Sequence, residues 1–238
     1  QSLKWCVRER LILKSQLTSS TLRGVNLFNI VFNLPIRIND ETQLRKLFGT
    51  DRLSLEASAS IVFEGVITLG SEIVFSGDCR LGGGTSVGNG CILTNVDLGP
   101  DNKVRPYSIL SNVKAGSRNL FGPFCFIRDE CAVGDDCILG THVETARSAF
   151  ASGVKISHHA FVGDANIGER TIIGAGVVFC NFDGSGRQSS EVGVDTLVGS
   201  GTLIVSPISI GARVVIGAGS VVSKNIEDDT RFVQSRYR

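Results

Sequence analysis

The sequence has 238 residues, enough for one large domain or two small ones, and a formal net charge of +1. This balance gives no reason to expect nucleic acid or an acidic membrane surface as a partner. No apolar run approaches the roughly 18 residues of a membrane span. Charges also interrupt the apolar part of the N-terminal segment that ends at Leu17, which is not typical of a signal peptide. We therefore expect no membrane partner and a cytoplasmic location.

The 28 glycines stand beside only five prolines, which favours a fold with many tight corners over a disordered linker. Seven cysteines are an odd number, and five of them share one position of the repeat described below. We therefore expect reduced thiols and no disulfide framework. The sequence contains no methionine, which leaves a fragment or a processed product open.

Residues 1–55 show no repeat and predict a small α/β cap, or the remnant of an upstream domain. The apolar spacing over residues 3–17 is helix-like. Residues 26–38 are rich in β-branched and aromatic side chains, which predicts one or two strands. Asp40 is a candidate N-cap for a short helix through Leu47, and Gly49 is its candidate end.

Residues 56–238 form the second predicted domain, in which an apolar residue recurs every six positions. The first members of this ladder are Phe63, Leu69, Phe75, Leu81, Val87 and Leu93, and it continues to Val222. A helical period of 3.6 cannot produce this spacing. It indicates one short strand per hexad and three hexads per triangular coil, so about 27 rungs predict an all-β parallel β-helix of about nine coils.

Two other repeat positions have a simple structural interpretation. Glycine follows many rungs, and we expect it to free the backbone at the corners. A small residue stands four positions after many rungs, and we expect it to point into the core. Cysteine occupies that position at Cys79, Cys91, Cys125, Cys131 and Cys137.

The ladder breaks between Phe179 and Val192, where the segment CNFDGSGRQSSE is too polar for the core. We predict that this segment leaves the coil as an extruded loop, and loops on rigid scaffolds often carry function.

The run GDANIGERTIIGAGVVFCNFDG, with GPFCFIR, HVE and VGSGTLIVSPISIG, carries a more specific signal. It resembles the left-handed parallel β-helix (hexapeptide-repeat) acyltransferases, and within them the C-terminal acetyltransferase domains of the bifunctional enzymes that make UDP-N-acetylglucosamine. The resemblance implies left-handed coils, acetyl-CoA as co-substrate, and a homotrimer with sites between adjacent solenoids.

The resemblance also assigns the catalytic and cofactor residues. His158 matches the catalytic base of the family, and Glu144 matches the carboxylate that orients it. A neutral imidazole can take a proton from an amine that attacks a thioester. The family's acetyl-CoA contacts match Ala175, Ser200, Ala218 and Arg236.

The acceptor side of the resemblance is incomplete. Arg128 and Arg187 match anion-binding positions, and Asn181 matches the loop asparagine. However, Ala146 stands where the family has a lysine, Ile172 replaces an asparagine, and Phe161 and Phe182 replace tyrosines. Each lost buried polar contact costs roughly 1–3 kcal/mol, so glucosamine 1-phosphate should bind poorly.

Two hypotheses follow. The first is an enzyme that transfers an acetyl group from acetyl-CoA to an amine of a sugar or sugar-phosphate-like acceptor. The second is a non-catalytic scaffold or regulatory module descended from such a transferase. A zinc site like that of the γ-class carbonic anhydrases, which share this fold, needs three histidines. The chain has only His142, His158 and His159, and adjacent strand residues point to opposite faces. We therefore expect no metal and expect His159 to point away from His158.

Overall fold

The computed structural model describes residues 18–22 and 25–234, with side chains from residue 35 onward. The predicted helix at residues 3–17 and the predicted cofactor contact Arg236 lie outside the described residues. The described part contains one helix, α1 (Glu41–Phe48), and 28 strands. The strands are β1 (Thr18–Leu22), β2 (Val25–Ile38), β3 (Leu53–Leu55), β4 (Ser60–Leu69), β5 (Ile73–Ser76), β6 (Asp78–Leu81), β7 (Ser86–Val87), β8 (Ile92–Leu98), β9 (Lys103–Val104), β10 (Ile109–Ala115), β11 (Leu120–Phe121), β12 (Phe126–Arg128), β13 (Cys131–Val133), β14 (Ile138–Thr141), β15 (Glu144–Ala146), β16 (Ala149–Phe150), β17 (Lys155–His158), β18 (Phe161–Gly163), β19 (Ala165–Ile167), β20 (Ile172–Ile173), β21 (Val178–Cys180), β22 (Ser190–Val192), β23 (Leu197–Val198), β24 (Leu203–Val205), β25 (Ile208–Ile210), β26 (Val215–Ile216), β27 (Val221–Val222) and β28 (Arg231–Phe232).

The N-terminal part is an antiparallel hairpin followed by α1. β1 pairs with β2, and β2 runs antiparallel to β4. The Asp40 carboxylate accepts a hydrogen bond from the Thr42 amide at 2.7 Å, and Gly49 ends the helix with a φ of 63°. The predicted capped helix is therefore confirmed. The Phe48 ring meets Phe63 edge-on at 5.7 Å, so the helix closes the end of the first coil.

From β3 onward the chain winds into a parallel solenoid with three faces. Face A stacks β3, β5, the first part of β8, the first part of β10, β12, β15, β18, β21, β24 and β27. Face B contains β6, β13, β16, β19, β22 and β25, and face C contains β7, β9, β11, β14, β17, β20, β23 and β26. The predicted fold class is confirmed. Face A is ten strands deep, against about nine predicted coils, because β3 forms a coil before the six-residue ladder begins. The division of the chain at residue 55 stays a prediction.

The rungs of the ladder fill the interior. Phe121, Leu139 and Ile156 are fully buried on consecutive coils of face C. The five repeat cysteines are buried free thiols, as predicted, and burial raises the pKa of Cys125 to about 12. No helix of the described part is long and apolar enough to cross a membrane.

The corners differ from the expectation that glycine frees the backbone there. Most residues with left-handed φ are not glycine. The A–B corner has Asn95, Asn112, Asp129, Arg147 and Asp164; the B–C corner has Asp101, Arg118, Asp136, Arg170, Asp195, Arg213 and Asp229; the C–A corner has Tyr107, Phe124, His142 and His159. Glycines that follow rungs instead let coils stack closely. A Cβ on Gly99 would lie 2.7 Å from the carbonyl oxygen of Gly116.

The predicted loop is extruded from one coil without breaking the stack. Phe161 pairs with Val178 on the next coil, and the coil between these two residues has the ordinary length. Val178 pairs in turn with Leu203, and the coil between those two residues is longer. The additional residues form the loop, and β22 then resumes its place on β19.

Candidate functional site

The predicted base and three predicted cofactor residues lie in one column of consecutive coils. His158 pairs with Thr141 at the end of face C. The register of β17, β20, β23 and β26 then places Ala175, Ser200 and Ala218 above His158 in turn. Neighbouring strands lie about 4.8 Å apart, so the column extends over three coil spacings. His158 is exposed at its lower end.

A trough without side chains runs beside this column along the C–A corner. Its floor is Gly176, Gly201 and Gly219, which we call the glycine trough; their φ values are 72°, 70° and 70°. A Cβ on Gly176 would meet nothing nearer than Gly201, at 3.7 Å. The trough therefore leaves room for a slender chain directly above His158 and His159.

Glu144 lies across the C–A corner from His158, but its carboxylate contacts Arg128. Arg128 donates to Glu144 Oε1 from Nη2 at 2.8 Å and from Nε at 3.2 Å. Among the described residues no hydrogen bond joins Glu144 to His158. The predicted orienting role of Glu144 stays a prediction, and contact with His158 requires its carboxylate to turn away from Arg128. Arg128 also bonds Asp129, so the arginine keeps a partner when Glu144 turns.

Arg128 is also the first residue in a chain of polar contacts along the A–B corner. Asp129 accepts hydrogen bonds from Arg128 and, at 2.9 Å, from Arg147. Arg147 grips both oxygens of the Asp164 carboxylate, at 2.6 and 3.0 Å. Asp164 then accepts from the side chain of Asn181. Two predicted site residues, Arg128 and Asn181, are therefore connected through three residues that the sequence did not single out.

Asp164 anchors both ends of the extruded loop. Its carboxylate binds the Asn181 amide group at the start of the loop, and its backbone carbonyl accepts from the Ser190 amide at 3.0 Å at the end. The side chain of Asp164 is only 15% exposed. Hydrogen bonding to Arg147, and then to Asn181, holds the pKa of Asp164 below its usual range. The loop is therefore fixed at its base.

The loop itself is a short turn organised by Asp183. One Asp183 oxygen accepts from the Ser185 amide, the Ser185 hydroxyl and the Gly186 amide, each at 2.8 Å. These bonds hold the pKa of Asp183 well below its usual range. Phe182 and Arg187 form a bridge across the turn, and both side chains are exposed. The two predicted acceptor residues therefore stand at the loop surface.

Phe161 lies beside the base of the loop, and the missing side chain of Gly163 makes room for it. It stacks on Glu144 along face A. A Cβ on Gly163 would lie 2.5 Å from the Asn181 side-chain nitrogen and 2.8 Å from the Phe161 ring. Gly163 thus lets Phe161 and Asn181 approach each other. By contrast, Ala146 is fully buried. Where the family has a lysine, this chain therefore has a small residue of the core.

The premise of the prediction for His159 does not hold, and its direction relative to His158 stays a prediction. This residue does not alternate with His158 along a strand, because β17 ends at His158 and His159 turns the corner with a φ of 50°. Its ring stacks on His142, with 4.9 Å between centroids. Within residues 25–234, no group of three possible metal ligands converges.

A wide concavity of about 700 Å³ lies elsewhere, on face B. It is a shallow trough over Ala132 and Ala149, bordered by Lys114 and Glu191, and no predicted site residue lines it. Small side chains between larger polar ones account for its shape, so we place the candidate site at the C–A and A–B corners.

Three site residues, Asp129, Arg147 and Asp164, were missed because their partners lie one coil away and not beside them in the sequence. A signal was present: Asp164 belongs to the GDA segment, and Asp129, Arg147 and Asp164 recur at the coil period with alternating charge. Comparing residues one coil apart would have found them.

Acid should loosen the loop through Asp164. Because the pKa of Asp164 is lower in the folded chain, its contribution is complete above the ordinary aspartate value of about 3.9 and is lost as the pH falls through the folded value. We expect Asp164→Asn to speed amide exchange of residues 181–189 at pH 6. Wild type should approach the variant's rate as the pH falls below this ordinary value, each pair being compared at equal pH by mass spectrometry.

The matched control is Asp229→Asn, which removes a similar arginine pair at the B–C corner (Arg213 to Asp229, 2.6 Å). It should leave exchange in the loop unchanged. Equal exchange in wild type and Asp164→Asn at pH 6 would contradict the anchoring role.

Known proteins of two kinds are similar to this chain. It is 33% identical over 187 residues to the bifunctional protein GlmU of Sorangium cellulosum, which covers 79% of this chain and 40% of that protein. It is 35% identical over 161 residues to GlmU of Alkalilimnicola ehrlichii, covering 68% of this chain and 35% of that protein. The chain thus spans well under half the length of these relatives. No family model matches the chain.

Among solved structures, the UDP-N-acetylglucosamine O-acyltransferase LpxA of Moraxella catarrhalis superposes with a TM-score of 0.60 at 17% identity, over 69% of each chain. The superposition confirms the solenoid fold. In fold and in the sequence of its repeats, the chain is similar to the left-handed β-helix acyltransferases built from hexapeptide repeats. Within that family its repeat region is similar to the C-terminal part of the bifunctional protein GlmU.

Proposed function

We propose that this protein transfers an acetyl group from acetyl-CoA to an amine of a small sugar-like acceptor. The observation that carries the proposal is the single column of His158, Ala175, Ser200 and Ala218 beside the glycine trough. An extended thioester can lie along this column, at the edge of the trough, with its acyl group at His158. Arg236 is the proposed contact for the phosphates of the cofactor.

The proposed reaction is a direct attack of the amine on the thioester. The amine nitrogen forms a bond to the acetyl carbon while the His158 imidazole takes the proton from the nitrogen. The carbon–sulfur bond then breaks, and the proton passes from the imidazolium to the departing thiolate. Glu144 stabilises the imidazolium in this scheme once its carboxylate turns from Arg128 to His158.

The acceptor is proposed to bind between Phe161 and the extruded loop, where Asn181 is held in place. Arg128 and Arg187 are the proposed contacts for polar groups of the acceptor, and Phe182 for its apolar surface. Arg128 already faces two carboxylates. An added phosphate must compete with them, so a neutral amino sugar is the better candidate.

Self-association is part of the proposal. Along face A the outward column contains Ile92, Ile109, Phe126, Leu203 and Val221, each at least 36% exposed. A row of exposed apolar side chains on a flat sheet favours burial against a second copy. We propose a homotrimer with the site between subunits, and the free buried thiols fit a reducing, cytoplasmic compartment.

The test begins with binding. Saturating acetyl-CoA should raise the melting temperature by about 5–10 °C, since a ligand at 100 times its Kd adds about 2.7 kcal/mol. Thiol release with glucosamine and with glucosamine 1-phosphate then measures the reaction, and glucosamine should be the faster acceptor. Absence of any shift at millimolar acetyl-CoA would overturn the proposal.

A second candidate, a non-catalytic scaffold, is favoured by one observation. Arg128, one of the two cations predicted to bind an acceptor phosphate, is neutralised by Asp129 and Glu144, and the buried Ala146 stands where the family has a lysine. The same experiment separates the two candidates. A scaffold should neither gain stability from acetyl-CoA nor release thiol with any amine.

A further inference from the structure

Four aromatic rings form a ladder along the C–A corner, beside the candidate base. Tyr107, Phe124, His142 and His159 occupy consecutive coils, and we call them the ring ladder. Their centroids are 5.6, 5.3 and 4.9 Å apart in turn, with interplanar angles of 5°, 11° and 31°. The ladder ends at His159, which follows His158 directly in the chain.

The fold does not require rings at these positions. All four residues have left-handed φ, between 50° and 59°, a conformation that costs a residue with a Cβ about 1 kcal/mol. Glycine fills the same column at Gly90 and Gly176, one coil below and one coil above the ladder. Ring stacking offsets part of the cost. Yet Tyr107 and Phe124 remain 54% and 48% exposed, so the fold leaves half of their surface unused.

One end of the ladder is closed and the other is open. The Tyr107 ring lies against the Gly90 backbone, because a Cβ on Gly90 would be 2.5 Å from that ring. Above His159 the next residue in the column is Gly176, and a Cβ there would meet only the Gly201 backbone, at 3.7 Å. The upper face of the His159 ring therefore borders the start of the glycine trough, beside His158, where the acyl group is proposed to lie.

The charges nearby favour an uncharged ligand. Arg128 and Arg147 each face two carboxylates, so neither is a spare cation for an anionic group. Arg187, the other predicted anion contact, lies at the exposed surface of the loop. Phe161 and Phe182 add apolar surface on the acceptor side. A flat, neutral ring is the ligand that offset stacking against an aromatic side chain recognises.

We propose that the open face of His159 is a binding subsite for an uncharged planar ring of the acceptor. This ring continues the ladder as a fifth ring at the level of Gly176, beside the column of Ala175, Ser200 and Ala218 along which the acyl chain is proposed to lie. The inference rests on the proposed function for assigning the ring to the acceptor. A primary amine on the ring, or one carbon removed from it, then lies beside His158. The acceptor class is thus an amine that carries an uncharged aromatic ring, a sugar amine with such a ring attached included.

The test uses two neutral probes of equal size, benzyl alcohol and cyclohexylmethanol, titrated into the full chain while the ring protons of the three histidines are followed by NMR. Benzyl alcohol should shift the His159 signal upfield by its ring current and shift His142 less. Cyclohexylmethanol should cause no such shift, and its Kd should be at least about threefold higher than that of benzyl alcohol. Equal shifts and affinities for the two probes would overturn the proposal.

A blocking variant gives a second readout. Gly176→Asn places a side chain over His159, and asparagine tolerates left-handed backbone. It should abolish the benzyl alcohol shift. The matched control, Gly219→Asn, has nearly the same φ two coils higher in the column and should retain it. Retention of the shift in Gly176→Asn with an unchanged melting temperature would refute the subsite.

The outcome does not depend on catalysis. If the protein releases no thiol with any amine tested and still shows the selective shift, it has the ring subsite without the proposed activity. A chain that acetylates glucosamine but not benzylamine, and shows no selective shift, has the activity without the subsite. If Phe124→Leu changes the subunit number in light scattering and also removes the benzyl alcohol shift, the shift depends on a contact between copies and the proposal fails.

Discussion

His158→Gln should lower kcat/KM for acetyl transfer by about 10²–10⁴-fold, the contribution of a positioned general base. Glutamine is close to histidine in size and keeps a polar end, but it cannot accept the proton that the amine loses. The binding of acetyl-CoA should change little, because the Ala175, Ser200 and Ala218 column and the glycine trough are untouched. Thiol release at saturating amine measures the loss, and thermal shift with acetyl-CoA confirms that the cofactor still binds.

The control for this variant lies on the same strand. Lys155→Ala removes an exposed side chain from β17, on which His158 also lies, and should leave the rate within about twofold, as expected for a surface substitution. Equal rates for wild type and His158→Gln would remove His158 as the base. The result would leave cofactor binding intact and would point to a water molecule or another residue as proton acceptor.

Gly140→Ala should destabilise the solenoid by about 3 kcal/mol or more, the upper end of the cost of overpacking. A Cβ on Gly140 would lie 2.0 Å from the carbonyl oxygen of Ser157 and 2.8 Å from its carbonyl carbon. Backbone atoms of a neighbouring coil cannot move aside as a flexible side chain can. The coils must separate at Ser157, and that displaces His158 directly after it.

Thermal unfolding by circular dichroism measures the effect. For a chain of this size the melting temperature should fall by about 6 °C or more. Gly186→Ala is the matched control, because its Cβ would meet nothing within 4 Å, and it should melt within about 1–2 °C of wild type, as for surface substitutions. If Gly140→Ala has the melting temperature of the control, the coils at Gly140 and Ser157 separate without loss of stability, and the overpacking argument is wrong.

The solenoid was predictable because its signal is local. Successive rungs of the six-position ladder, such as Phe121 and Ile127, must face the same interior whatever the rest of the chain does. The capped helix was predictable for the same reason, since Asp40 and Gly49 act on their own neighbours. The break in the ladder after Phe179 likewise predicted the loop.

The contacts between coils were not predictable from those signals. Arg147 meets Asp164, and Phe124 meets His142, only once the length of each coil is fixed. Glu144 shows a second limit: the resemblance assigns it to His158, while Arg128 is two strand positions away on the coil below and bonds its carboxylate. Which partner a side chain takes depends on competing neighbours, and sequence spacing does not rank them.

The extruded loop has a consequence for how this protein can change. Leu197 stacks on Ile172 and Ser190 on Ala165 whatever the length of chain between Asn181 and Ser190. The scaffold therefore tolerates replacement of the loop interior, provided that both ends still reach Asp164. New acceptor specificities can arise by exchanging one short surface segment, while the acyl-donor column and the interior rungs stay as they are.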